Sequence, residues 1–335
     1  YELACQALSP SFVFFFEQKP AYDVRPRDWS SDVCSSDLMN LELLTQMIVN
    51  GLIVGTLYGV VAMCFVLIYK STRVVNFDQG EFLLIGAWSC WAMLVKFELP
   101  FYVGFPLTLV FMLIFGVVLQ VVVLRPMIGE PIISVIMVTI GLSMFFQGLV
   151  SWIFGGYTKA YPTVFETASV NIGGLQIETA YIMSVVVSIV IMIGFYFFFK
   201  YSRMGLAMRA TAFDQQIAQS LGISVKHVFA ASWAISAVVS AMAGVVVGMG
   251  HGVSSALSFF GIKVCPVVIL GGLDSIVVAI VGGLIIGVLE NLAEFVDSQW
   301  LQLGNMYDIA PFYALVVILM IKPYGLFGTK NIERI

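Results

Sequence analysis

The chain has 335 residues, 60% of them hydrophobic and only 11% charged, with a mean hydropathy of +0.99. Soluble domains are about 45–50% apolar and about 25% charged. This composition therefore excludes a soluble globular protein, a disordered chain and a nucleic-acid binder, and leaves a polytopic integral membrane protein. The formal net charge of −4, from 16 Lys+Arg against 20 Asp+Glu, offers no basic field to a polyanion. Five cysteines stand without CxxC spacing, which argues against a structural zinc site or a disulfide framework.

Residues 1–38 differ in character from the rest of the chain. The run 28–38 is polar, patternless and rich in Ser and Asp, and it resembles a translated sequencing-library adapter; 17–22 resembles a second piece of it. The short apolar run 12–16 lacks the basic start and small-residue cleavage site of a signal peptide. We expect 1–38 to be a non-native, disordered tail and 39–335 to be the transmembrane domain, beginning at Met39. Without the tail, 13 of the 16 basic and 14 of the 20 acidic residues remain, for a net charge of −1. The three remaining thiols, Cys64, Cys90 and Cys265, each lie in an apolar run and read as small apolar side chains.

A membrane-spanning helix needs about 20 mostly apolar residues. Uncharged runs of that length fall at 43–69, 99–124, 131–158, 179–199 and 227–262. Shorter runs at 82–95, 275–289 and 309–321 span only if flanking charges snorkel or face a protein interior. The Gly- and Pro-interrupted stretch 258–273 reads as one more, broken span. The predicted fold is all-α, with eight or nine transmembrane helices, some short or broken. An alternating assignment puts Lys70, Arg73, Arg125, Lys200, Arg203, Arg209, Lys226, Lys322, Lys330 and Arg334 on one side and Lys96, Lys159 and Lys263 on the other. By the positive-inside rule the crowded side, and with it the C-terminus, is cytoplasmic.

Glycines recur at four-residue spacing in Gly51/Gly55/Gly59, Gly244/Gly248/Gly252 and Gly283/Gly287, a pattern that lets helices approach closely. Segment 51–57 also weakly echoes 283–289, as repeats in transporters do. Trp88, Trp91, Trp152 and Trp300 fall near span ends, as interfacial aromatic belts do.

Three polar places stand out. Between two spans on the basic side, 206–221 reads as a short surface helix stopped by Gly222, with Ala207, Ala210, Ile217, Ala218 and Leu221 on one face. Asn76 to Glu81 forms a polar turn before an unusually short run; it either caps that helix or places Asn76, Gln79 and Glu81 beside a pathway. Asp274 and Glu290 flank another short run, where ionisable groups indicate a functional or helix-pairing role, with interfacial exposure as the alternative.

The motifs together resemble the branched-chain amino-acid permease family of ABC transporters, in particular the first of its two paired membrane subunits. Gly205, Arg209, Ala210, Asp214, Ala218, Gly222 and Ile223, with Arg203 leading the segment, match the cytoplasmic loop. Further matches lie at 50–52 with 58–59, 76–81 with 86–87, 270–275, 282–283 with Glu290, and 322–328. The chain departs from the family pattern at Asp78, where a small residue is usual, and at Leu206 and Asp274, which replace a common Arg and Gly. The resemblance implies an importer in the bacterial inner membrane. A periplasmic or extracellular binding protein delivers an amino acid, two permeases form the pathway, and cytoplasmic ATPases drive it through the 203–224 segment. The chain contains no GxxxxGK[ST] phosphate loop of its own. No catalytic, cofactor or metal residue is assigned. Permeases for urea or short amides are the nearest alternative. A passive channel would not need the surface helix, and an intramembrane enzyme would want HExxH or paired Asp within spans.

Overall fold

The computed structural model describes residues 32–161, 169–172, 175–272, 275–301, 304 and 306–322. The chain divides into residues 1–41 and 42–335, and the helical bundle is the second unit. The helices, in order, are α1 (Asp32–Thr72), α2 (Gln79–Val95), α3 (Phe101–Leu119), α4 (Ile132–Phe154), α5 (Thr179–Tyr201), α6 (Arg203–Phe213), α7 (Gln215–Ser220), α8 (Val225–His251), α9 (Leu257–Gly271), α10 (Ile276–Val296) and α11 (Met306–Ile321). Short π- and 3₁₀-turns extend α3 to Met127, and a π-turn extends α10 to Leu301. A small antiparallel hairpin of β1 (Ser169–Ile172) and β2 (Leu175–Glu178) precedes α5. It is the one paired-strand element among the described residues and too small to alter the all-α class.

Among the described residues six helices are long and apolar enough to cross a membrane, and α2, α9 and α11 are shorter apolar helices. Six long helices and three short ones thus stand where eight or nine spans, some short or broken, were expected, with two changes. The run 227–262 is not one helix: Gly252, at φ +79°, ends α8, and α9 starts at Leu257. The stretch expected to be broken, 258–273, is a helix through Pro266. At 15 residues α9 is about 22 Å long, short of the roughly 30 Å hydrocarbon core.

α1 is the core helix. Every residue from Val60 to Ile68 is buried, so apolarity all round this segment meets protein on all sides. α3, α4 and α5 instead leave Ile114, Met137, Met144 and Val190 exposed, the faces a bilayer covers. Trp152 and Trp300 are likewise exposed, as expected of an aromatic belt, but Trp88 and Trp91 are not. Both are buried against Phe154, and the Lys159 ammonium lies 4.7 Å from the Trp91 ring centre. A cation–π contact and close packing took them into the protein. Lys96 lies over Phe154, so Lys96 and Lys159 share one end of the bundle. Lys70, Arg73 and Arg209 line a common pocket elsewhere. Lys263 belongs to neither set; it sits inside α9 and is buried, so it drops out of the sidedness count.

Two of the three glycine sets form one seam, and the third, Gly244/Gly248/Gly252, packs elsewhere, on Leu83, Tyr161 and Lys159. Gly51, Gly55 and Gly59 of α1 pack antiparallel on α10, opposite Gly287, Gly283 and Ile280. The two segments that echo each other in sequence thus face each other. Apolar surface gives no net drive for association in lipid, so close backbone approach and dispersion hold such helices together. A Cβ at Gly283 would fall 2.6 Å from the Gly59 nitrogen, whereas one at Gly141 meets nothing within 4 Å. Gly283→Val should therefore lower the thermal stability of the detergent-solubilised chain by about 1–3 kcal/mol. Gly141→Ala should leave it unchanged, as read by fluorescence-detected gel filtration after heating.

Candidate functional site

The basic segment between α5 and α8 is shaped by caps. Ser202 Oγ accepts from Gly205 N at 2.8 Å and starts α6. Gly205 is required because a Cβ there would lie 2.8 Å from the Phe198 carbonyl. The Arg209 guanidinium folds back to donate to the carbonyls of Phe199 and Lys200, tying α6 to the end of α5. The continuous helix expected over 206–221 is broken at Asp214. Its backbone is extended, and its carboxylate accepts from Gln216 N at 2.7 Å and Ile217 N at 3.0 Å, capping α7. Gly222 N to Gln219 O and Ile223 N to Ala218 O close a Schellman motif at φ +84°, so Gly222 is the stop that its sequence position predicted.

The family-type residues therefore hold the segment's shape. The face expected to hold Ala207, Ala210, Ile217, Ala218 and Leu221 splits: Ala218 is buried and Ala207 packs on the core, whereas Ile217 and Leu221 point outward. Arg203 remains at the surface, and Ala210 and Ile223 are half-buried. The exposed side chains include four large apolar ones, Leu206, Phe213 at 88%, Ile217 and Leu221. Arg73 reaches this segment from the end of α1, donating to the Ala212 carbonyl at 2.7 Å.

The polar turn 76–81 lies inside the protein. Asn76, Asp78, Gln79 and Glu81 are all buried. Asn76 Oδ1 accepts from Asp78 N at 3.1 Å, closing the turn. Gln79, the first residue of α2, accepts from Ser236 Oγ at 3.0 Å and donates to Ser240 Oγ. Both serines lie near the middle of α8, so α2 starts at its mid-length. Gly80 meets α9 where a side chain would not fit: a Cβ on it would fall 3.1 Å from Gly261 Cα. The N-termini of two short helices thus come together at depth, which brings two positive dipole ends into the interior. Glu81 Oε1 accepts from Ser143 Oγ at 3.0 Å. Neither Glu81 Oε2 nor the two Asp78 carboxylate oxygens finds a hydrogen-bond partner among the described residues.

Glu290 is a helix-pairing residue. α10 extends past the apolar run that suggested its end at 289, and the carboxylate is buried. Its Oε2 accepts from Tyr58 of α1 at 2.6 Å and its Oε1 from Lys263 of α9 at 2.6 Å. Lys263 also pairs with half-exposed Asp308 of α11 at 2.7 Å and lies 3.8 Å from the Tyr307 ring centre. Four helices thus meet on one charge cluster. Asp274 lies outside the described residues, as do 323–328 of the C-terminal match.

Sequence reasoning did not show that Tyr58, Lys263 and Asp308 join Glu290 in one cluster, or that serines of α8 receive Gln79. One signal was available. Ser232, Ser236 and Ser240 on α8, and Thr139, Ser143, Gln147 and Ser151 on α4, recur every fourth residue in apolar runs. Each such row is one helix face. The α4 row bonds Glu81, Ser258 and Ser255, and the α8 row bonds Ser71 and Gln79.

Removing one partner from a buried ion pair strands the other. Glu290→Ala is expected to destabilise the chain by about 3 kcal/mol. Adding Lys263→Met should recover part of that loss, measured by thermal unfolding in detergent. A double variant as unstable as the sum of its parts would rule the pair out as a structural unit.

Residues 47–321 match the family described as branched-chain amino acid transport system / permease component. A high-affinity branched-chain amino acid transport system permease protein, BraD, of Pseudomonas aeruginosa is 31% identical over 87% of this chain and 97% of its own length. The corresponding LivH of Escherichia coli K12 is 30% identical with the same coverage. A probable permease of this kind in Methanocaldococcus jannaschii is 26% identical over 89% of the chain and 98% of its own length. Among solved structures, PsaBC from Streptococcus pneumoniae in complex with Fab shares the fold, with a TM-score of 0.51 and 17% identity over 87% of this chain and 96% of that one. With the family match spanning most of the helical domain, the chain belongs to the branched-chain amino acid transport permease components and is a transport subunit, not an enzyme.

Proposed function

We propose that the chain is the membrane-spanning permease subunit of an ATP-binding-cassette importer for branched-chain, apolar amino acids. The observation that carries this reading is the α6–α7 segment. Leu206, Phe213, Ile217 and Leu221 are exposed on a capped scaffold beside Lys70, Arg73 and Arg209. An exposed apolar set of this kind marks a protein contact, and a soluble ATPase subunit is the partner an importer needs there. The substrate class follows the relatives, whose names give branched-chain amino acids. Urea or a short amide remains the second reading within the class.

In this account Arg203, Gly205, Arg209, Ala210, Asp214, Ala218, Gly222 and Ile223 build the coupling segment. Asn76, Gln79, Glu81, Asp274 and Glu290 belong to the pathway or its support. A second homologous permease completes the passage, and a periplasmic or extracellular binding protein delivers substrate to the end that carries Lys96 and Lys159. The coupling end, and with it the C-terminus, faces the cytoplasm. Coupling is mechanical: ATPase binding biases one of two membrane conformations through α6–α7.

Removing the gene from its own organism should abolish the uptake of labelled leucine that depends on this transporter and leave urea uptake unchanged. The reverse result would select the urea reading. Phe213→Asp should reduce co-purification of the ATPase subunits about tenfold or more with normal membrane insertion. Gly222→Val, which strains a backbone at φ +84°, should uncouple ATP hydrolysis from uptake. Wild-type uptake in both variants would remove the coupling assignment. Deleting residues 1–38 is expected to leave transport unchanged; loss of assembly would show that the segment belongs to the working protein.

A further inference from the structure

A cavity of about 690 Å³ opens between the end of α8, the linker 252–256, α9 and the start of α11. Val247, Phe259, Phe260 and Phe312 form apolar walls, and Lys263 and Asp308 supply the polar end. The backbone of Val253, in the linker, pairs with Lys159. The cavity therefore lies toward the end of the bundle that carries Lys96 and Lys159, away from α6–α7. In the proposed orientation that is the outer side, where a binding protein releases substrate.

The two polar groups differ in how firmly they are held. Lys263 is 9% exposed and is fixed by Glu290, whose other oxygen is taken by Tyr58. Asp308 has a side chain 49% exposed and pairs with Lys263 at 2.7 Å from the first turn of α11. An ion pair with one buried and one half-exposed member, at the mouth of an apolar cavity, can be opened by a ligand that satisfies both charges. A free α-amino acid has that chemistry. Its carboxylate replaces Asp308 at the Lys263 ammonium, its own ammonium meets the Asp308 carboxylate, and its apolar side chain enters the aromatic wall. No charge is left unpaired, which is the condition for binding in a poorly hydrated site.

We infer that this cavity is an entry site for the zwitterion of an apolar amino acid, which inserts between Lys263 and Asp308. The inference rests on the transport reading and deepens it. A neutral solute such as urea cannot replace either charge, so the site distinguishes the two substrate classes. Opening the Lys263–Asp308 pair would also remove one tie between α9 and α11 while Glu290 keeps Lys263 in place.

The test uses the full-length chain in membranes, with Ala256→Cys as a reporter; Ala256 lines the cavity and is exposed. The maleimide labelling rate of this variant, in excess of that of the parent chain, is measured with L-leucine, with 4-methylpentanoate (no ammonium), with leucinamide (no carboxylate) and with urea. L-leucine should slow labelling. Each single-charge analogue should need about tenfold or more higher concentration, and urea should have no effect. Asp308→Asn should lose protection by L-leucine. No protection by L-leucine, equal protection by the single-charge analogues, or undiminished protection in Asp308→Asn would overturn the inference. If Asp308→Asn does not assemble, the analogue series on the reporter variant alone decides. Leucine uptake that depends on the gene, together with reporter labelling that L-leucine does not slow, would reject the cavity and keep the transport reading; absent uptake would reject the transport reading itself.

Discussion

The contact on which the interior depends is the one Gln79 makes with Ser236 and Ser240. It seats the first residue of α2 beside the middle of α8. In a bilayer a buried amide or hydroxyl without a partner costs several kcal/mol, so a helix that begins at depth is anchored by those first-turn side chains that find partners there, as Gln79 does and the Asp78 carboxylate, among the described residues, does not. Gln79 bonds both serines, and Asn76 closes the turn that leads to it. Gly80 then admits the start of α9, and Gly86 and Gly244 let α2 and α8 approach closely. The close pairing of short α2 and α9 follows from that arrangement.

Polarity in this protein is confined to few places and each joins several helices. The α4 row ties a mostly lipid-facing helix to Glu81 and to the linker before α9. The Tyr58–Glu290–Lys263–Asp308 chain ties α1, α10, α9 and α11. Both devices replace hydrophobic association, which is weak between helices in lipid. The glycine seam between α1 and α10 does the same by dispersion. The two ends of the bundle then differ in chemistry: one carries an exposed apolar set on capped short helices beside Lys70, Arg73 and Arg209, the other carries Lys96, Lys159 and the mouth of an apolar cavity with an ion pair inside.

The long apolar helices, the basic segment and the Gly222 stop were legible because they depend on local runs and on backbone conformation. The exposed face of 206–221 was not, because Asp214 reads as an ordinary surface residue until its carboxylate is seen capping α7. Trp88 and Trp91 misled because belt position and core position look alike in sequence; only the partners Phe154 and Lys159 separate them. Lys263 read as a loop charge because the carboxylates that hold it, Glu290 and Asp308, are distant in sequence. Glu290 and Gln79 were singled out by their place next to short apolar runs, but their partners could be found only through the fourth-residue spacing of hydroxyls and the fold itself.

If Gln79 seats α2 through its bonds to α8, the two sides of that contact must be energetically coupled. A double-mutant cycle with Gln79→Leu and Ser240→Ala, read as thermal stability of the detergent-solubilised chain, measures this directly. We expect the double variant to be more stable than the sum of the single losses by about 0.5–3 kcal/mol. Strictly additive losses would contradict the placement of α2 at the middle of α8.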